Sequence, residues 1–190
     1  MPIEPGTHTF GPENGTLSVR TGRTGAAAKA GHNLLLHVTD GRATLEVGDD
    51  PAQARIVLDA NAGSLRVREG TGGMQALGGD DIANIEETIG EEVLRRQPVA
   101  FRSTSAEIAA DGTRISVQGD LTLVGSTCPI ALDLTVAGDG RLAGRVVVKQ
   151  TDWGIKPYST LFGALKVVDE VEVAIDATLQ STDKETATWQ

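Results

Sequence analysis

The amino-acid sequence predicts an all-β fold with one longer helix, its strands running antiparallel and closing into a barrel or stacking as a sandwich. Three observations lead there. Apolar and polar residues alternate with period two over long runs, the pattern of strands with one dry and one wet face. Asp-Gly pairs at 40–41, 111–112 and 139–140 fall between those runs, where a tight hairpin turn needs positive φ. Only 3% of the 190 residues are aromatic, so the dry faces enclose mainly Val, Leu, Ile and Ala.

Along the chain, strands are expected near 16–21, 31–39, 42–48, 54–59, 62–68, 99–110, 113–125, 129–138, 141–153 and 169–180. Some early ones merge, leaving about eight or nine. Leu17/Val19, Leu45/Val47 and Leu65/Val67 mark the short early strands. Ile115, Val117, Gly119, Leu121 and Leu123 form one dry phase, and Ile130, Leu132, Leu134 and Val136 the next. Val171, Val173, Ile175, Ala177 and Leu179 form the last. A slip of one residue would invert every side chain, so the register is strongly specified. The helix starts at Asp80 or Asp81, carries Ile82, Ile85, Ile89 and Val93 at three- and four-residue spacing, and stops before Pro98. Gly90 weakens it and predicts a bend. A second, short helix is expected near Ser159–Gly163, and Glu69–Met74 reads as a flexible connection. Residues 1–180 form a single domain and 181–190 a frayed polar tail.

Residues 113–124 as a strand would span roughly 36 Å at about 3.3 Å each. Long hairpin-joined strands hide a dry face most economically in a barrel or sandwich. A barrel of about eight strands is either just filled by its side chains or holds one small ligand. The inward set here is rich in Ala, Gly and Val, which predicts a long, narrow, aliphatic tunnel.

Composition excludes several roles. With 17 basic and 26 acidic residues the chain carries a net charge of −9, which repels phosphate backbones and argues against nucleic-acid binding. Few basic residues are available to hold an anionic membrane, and no apolar run reaches the length of a membrane span, so no stable membrane insertion is expected. Cys128 is the only cysteine, which leaves no internal disulfide. Pro2, Glu4 and Pro5 stand where a signal peptide would begin, and a cytoplasmic location is expected.

Catalytic and metal-binding patterns are weak. His32 and His37, five apart on a strand, point to opposite faces, and neither a Cys/His pairing nor an HExxH spacing occurs. Neither a metal nor a cofactor is expected. Ser126-Thr127-Cys128 offers nucleophile types without a patterned base. A lipid- or ester-acting hydrolase would need His32 or His37 to meet Ser126, Cys128 or Ser159. Arg20-Thr21-Gly22-Arg23-Thr24-Gly25, with Lys29 and His32, is the main basic cluster. It fits either a clamp for a polar ligand head or a loop with solvated arginines.

Four stretches, in order, carry a resemblance over residues 15–180: Val19-Arg20-Thr21-Gly22-Arg23 through Ala30-Gly31-His32-Asn33-Leu34; Ser64-Leu65-Arg66-Val67 through Gly73 and the helix to Val93-Leu94; Pro98 to Ser103 with Gly119 to Gly125; and Gln150-Thr151-Asp152-Trp153-Gly154-Ile155 through Tyr158 to Val167. They resemble the YceI-like family of polyisoprenoid-binding proteins. Asn33 departs from the acidic residue expected there. The resemblance implies an antiparallel eight-stranded lipocalin-like β-barrel with a helix at one end, whose bore holds an isoprenoid chain such as a polyprenyl lipid or quinone tail. The role implied is non-catalytic carriage or sequestration, and the chain is not expected to be an enzyme. Val19, Leu35, Phe101, Leu123, Leu134, Trp153 and Phe162 are expected to line or close the bore, with Ile82, Ile85 and Ile89 capping it and Arg20 and Arg23 meeting a polar head. A dry-filled interaction or regulatory barrel uses the same residues. The lipid and the oligomeric state stay open, a homodimer included.

Overall fold

Period-two alternation dictates the architecture of the computed structural model, which describes residues 3–180. In chain order the strands are β1 (Gly6–Phe10), β2 (Gly15–Thr21), β3 (Arg23–Thr24), β4 (His32–Val38), β5 (Gly41–Val47), β6 (Arg55–Ala60) and β7 (Leu65–Gly72). Helix α1 (Gly79–Thr88) follows and runs into a π-helical turn, Ile89–Val93. Then come β8 (Val99–Ile108), β9 (Arg114–Leu123), β10 (Ser126–Val136), β11 (Arg141–Lys149), β12 (Ser159–Thr160), β13 (Leu165–Val167) and β14 (Glu170–Thr178). Eleven strands form one curled antiparallel sheet; β12, β13 and β3 form a small second one.

Eleven segments replace eight strands because three long strands are interrupted. Between β1 and β2, Asn14 Oδ1 accepts the Gly11 N–H at 2.9 Å and turns the chain. Thr39 and Asp40 separate β4 from β5, and a 3-10 turn at Ala62–Ser64, capped by Asn61, separates β6 from β7. Partners persist across each break: Phe10 faces Ala43 and Ser18 faces His37, while Gly41 faces Ala60 and Val38 faces Leu65. Each long strand therefore pairs with the next, and the ring closes where β14 meets β2, with Val173 opposite Val19. β1 and β7 are paired on one side only. Helix α1 packs on β7, and the π-turn packs on the 62–64 turn.

Several local expectations are corrected. The helix is capped by Gly78, with Asp81 at its third position accepting the Gly78 N–H at 3.0 Å. The bend expected at Gly90 is a π-turn. Ser159–Gly163 is a short strand followed by one 3-10 turn rather than a helix, because Leu161 and Phe162 have positive φ. Glu69–Gly72 continues β7 and pairs with β4 instead of forming a loose connection. β11 stops at Lys149, and a 3-10 turn takes Gln150–Trp153. β1, β3, β12 and β13 carried too little alternation to be expected. The tail 181–190 lies outside the described residues.

Inward side chains differ between the two ends of the barrel. Near the Asp111-Gly112 and Asp139-Gly140 hairpins, Ala106, Ile115, Val136 and Val47 are buried in one cluster with Phe10, Leu45, Leu134, Leu142 and Ala177, which floor the open space beyond. Toward the other end, Val19, Leu123, Ile130, Leu132, Val171 and Val173 are only half-buried although they lie on the same dry phase. The first end is filled and the second is hollow.

Candidate functional site: an aliphatic cavity

The hollow end is a cavity of about 990 Å³, at the top of the roughly 300–1,000 Å³ range of small-molecule sites. Its walls come from the inward phase of nearly every long strand. Leu17 and Val19 of β2, Leu34 and Leu36 of β4, and Leu58 of β6 form one side. Leu123 of β9, Ile130 and Leu132 of β10, Val146 of β11 and Val173 of β14 form the other. Ile85, Ile89 and Val93 close part of the mouth from the helix. Phe10, Phe101 and Tyr158 are the aromatic residues on the wall.

Polar groups gather at the mouth. Arg23, His32, Gln75, Asn84, Thr88, Thr160 and Lys166 all reach the cavity there. The Arg23 guanidinium donates to the Gly31 carbonyl and lies against Gly72, whose φ of +78° and lack of Cβ make room for it. His32 Nε2 lies 2.7 Å from the Gln75 carbonyl oxygen. That contact engages His32 with the backbone rather than with Ser126, Cys128 or Ser159. Cys128 Sγ donates to the Asp152 carbonyl at 3.3 Å. Among the described residues no three His, Cys, Asp or Glu side chains converge to hold a metal ion. His37 faces outward; burial and the neighbouring Arg68 lower its pKa from the ordinary histidine value.

Val19, Ile85, Ile89, Phe101, Leu123, Leu134 and Arg23 lie on the cavity wall. Other expected residues lie elsewhere. Leu35 shares the outward phase with Asn33 and His37, while Leu34 and Leu36 point inward; three leucines in a row hide the phase. Arg20 follows the inward Val19 and so faces outward, 3.9 Å from Glu172 on the adjacent strand. Ile82 is on the helix face of Glu86, which turns to β7 and accepts the Val67 N–H at 2.9 Å. Trp153 is buried outside the cavity, its indole N–H donating to the Leu121 carbonyl at 2.8 Å. Phe162 projects into solvent. Leu17, Leu132 and Val173 also line the wall, and their alternation with polar neighbours marks them; Leu36, Leu58 and Val146 lie in unbroken apolar runs that hide it.

Comparison with known proteins agrees with this geometry. A search of curated proteins finds no match. Among solved structures, Burkholderia cenocepacia BcnA superposes with a TM-score of 0.61 at 16% identity, covering 87% of this chain and 96% of that one. The Campylobacter jejuni YCEI protein gives a TM-score of 0.55 at 13% identity, covering 76% and 84%. At such identities these likenesses speak for the fold alone. Among the described residues no helix is long and apolar enough to cross a membrane. The YceI-like domain model matches residues 21–179, and the chain therefore belongs to the YceI-like family.

Proposed function

We propose that the protein holds an isoprenoid lipid, such as a polyprenyl lipid or a quinone tail, as a non-catalytic carrier or sequestering protein. The observation that carries this reading is the pair of unlike barrel ends. Side chains of one dry phase pack solidly at one end and stand around an open aliphatic space at the other. Covering a tail with that wall gains about 25 cal/mol per Å² of apolar surface, before ordering costs are subtracted. A branched, unsaturated hydrocarbon matches a wall of Leu, Ile and Val that offers few hydrogen bonds. Arg23 and Lys166 at the mouth suit a pyrophosphate, phosphate or carbonyl head.

Protein purified from its native host is extracted with organic solvent, and the extract is read by mass spectrometry. A near-stoichiometric isoprenoid is the expected result. A protein that yields none, and that fails to take up an added polyprenyl phosphate, overturns the reading.

A further inference from the structure

The cavity mouth inverts the character of the rest of the chain. Acidic residues outnumber basic ones overall, 26 to 17. Yet no Asp or Glu occurs between Glu13 and Asp40, a stretch that contains Arg20, Arg23 and Lys29. None occurs between Asp152 and Asp169, which contains Lys156 and Lys166. The small sheet brings the two stretches together, with Val167 opposite Arg23 and Lys166 opposite Thr24. The Ala27 N–H donates to the Ala164 carbonyl at 2.8 Å and ties them further. Lys29, Lys156 and Lys166 are exposed. Of the acids beside the mouth, Asp81 has its carboxylate engaged by the Gly78 N–H.

A tip of two large apolar residues projects from this basic surface. Leu161 is exposed, and Phe162 reaches 113% of its reference exposure, so nothing among the described residues covers it. Leu161 and Phe162 have φ of 52° and 53°, and Gly163 follows at 85°. Bulky residues rarely adopt that region, and two in succession are rarer. The Lys166 stem lies over Gly163. Met74 and Tyr158, also exposed, extend the apolar surface to the cavity wall. Neither strain nor exposure stabilises the isolated barrel, so both point to a surface that receives the tip. Apolar side chains entering the acyl boundary, ringed by lysines reaching headgroup phosphates, is the arrangement of an interfacial anchor.

We propose that the Leu161–Phe162 tip, flanked by Lys156 and Lys166, docks the barrel mouth-first on a membrane surface bearing anionic lipids. Docking in this way puts the cavity mouth against the bilayer without any segment crossing it. Lys166 also lines the cavity mouth, so the test reads vesicle binding and not lipid uptake, and its outcome is separate from that of the carrier reading. The full chain is floated with phosphatidylcholine vesicles, with and without phosphatidylglycerol. Binding is expected to the phosphatidylglycerol vesicles and to weaken with added salt. The L161S/F162S variant should lower the vesicle partition coefficient at least about tenfold. K156Q/K166Q should lower it about 10- to 30-fold on anionic vesicles and leave neutral ones unaffected. Circular dichroism checks that the variants keep the fold, as exposed sites should. No flotation of the wild type, or flotation unchanged in both variants, overturns the proposal. A dimer in sedimentation equilibrium that L161S/F162S dissolves, with no flotation, assigns the tip to a second copy and also overturns it.

Discussion

Trp153 sits in one of the four stretches that carry the family resemblance, yet it does not touch the cavity; its role is to fasten one side of the barrel. The indole N–H bonds the Leu121 carbonyl in a buried site. Around it, Gln150 Nε2 donates to the Val168 carbonyl at 3.1 Å, and the Thr151 N–H and hydroxyl both donate to Asp169, at 2.9 and 2.6 Å. The motif thus pins the β11–β14 connection against β9. Trp153→Phe keeps most of the apolar bulk but removes this hydrogen bond, and should cost about 0.5–1.5 kcal/mol in urea unfolding; an unchanged midpoint would deny the bond its role. Asp169 gives the same knot a pH dependence. The Thr151 hydroxyl, with its backbone N–H, holds the Asp169 carboxyl below the usual carboxylate range. The Arg141 guanidinium does the same for Asp176. As pH falls past the ordinary carboxylate pKa of about 4, the unfolded chain binds protons that the folded one refuses, so stability drops. The contribution is complete above that pH and disappears as pH falls through the lowered folded value. Asp169→Asn should flatten the thermal midpoint profile below about pH 4; parallel profiles for variant and wild type would remove Asp169 from the account.

Two glycines in regular elements illustrate opposite reasons for lacking a side chain. Gly90 is buried where α1 becomes a π-turn, and an added Cβ would lie 3.6 Å from the Gly63 Cα, an ordinary contact. Gly119 is on the inward phase of β9 beneath the Phe101 ring, and an added Cβ would come within 2.5 Å of the Arg102 carbonyl oxygen. Gly90→Ala should therefore raise stability by about 0.5–1 kcal/mol through helix propensity. Gly119→Ala should lower it by about 1–3 kcal/mol, because backbone must move. Chemical denaturation of both variants tests the contrast; two changes of the same sign would break it. The bend at Gly90 was legible in the sequence because glycine interrupts a helical apolar spacing. The run Leu34-Leu35-Leu36 was not, since alternation loses its phase where no polar residue intervenes. The Leu161–Phe162 turn was equally hidden: positive φ is announced by Gly, Asn or Asp, and here it falls on two bulky residues. β3 and β12 contain two residues each, too few for any period to appear.

For the whole molecule, alternation identifies which side chains face inward but not whether they meet. Ile115 and Leu132 follow the same rule on neighbouring strands; one is fully buried and the other faces open space. The difference comes from closure. At the hairpin end, β1 and β5 bring Phe10, Leu45 and Val47 across the bore. At the other end β7 has no second strand, and the helix lies beside it as a partial cover. Such long-range placement has no local sequence signature: the wall of the hollow is mainly Leu, Ile and Val rather than the Ala, Gly and Val expected to make room for it, so alternation announced a barrel interior but not where it stands open. A large side chain distinguishes the two ends. Val173→Trp puts an indole into the hollow, where space exists, and should shift the unfolding free energy by less than about 1 kcal/mol while abolishing uptake of a polyprenyl phosphate. Ile115→Trp puts the same group into the filled end, where Ile115 is fully buried and off the cavity wall, and should cost about 1–3 kcal/mol or more, because packed neighbours must move. Urea unfolding of the two variants is the measurement, with lipid uptake read alongside. Equal destabilisation at both positions would mean that the bore is filled along its whole length. Retained uptake in a folded Val173→Trp protein would place the lipid somewhere other than the hollow.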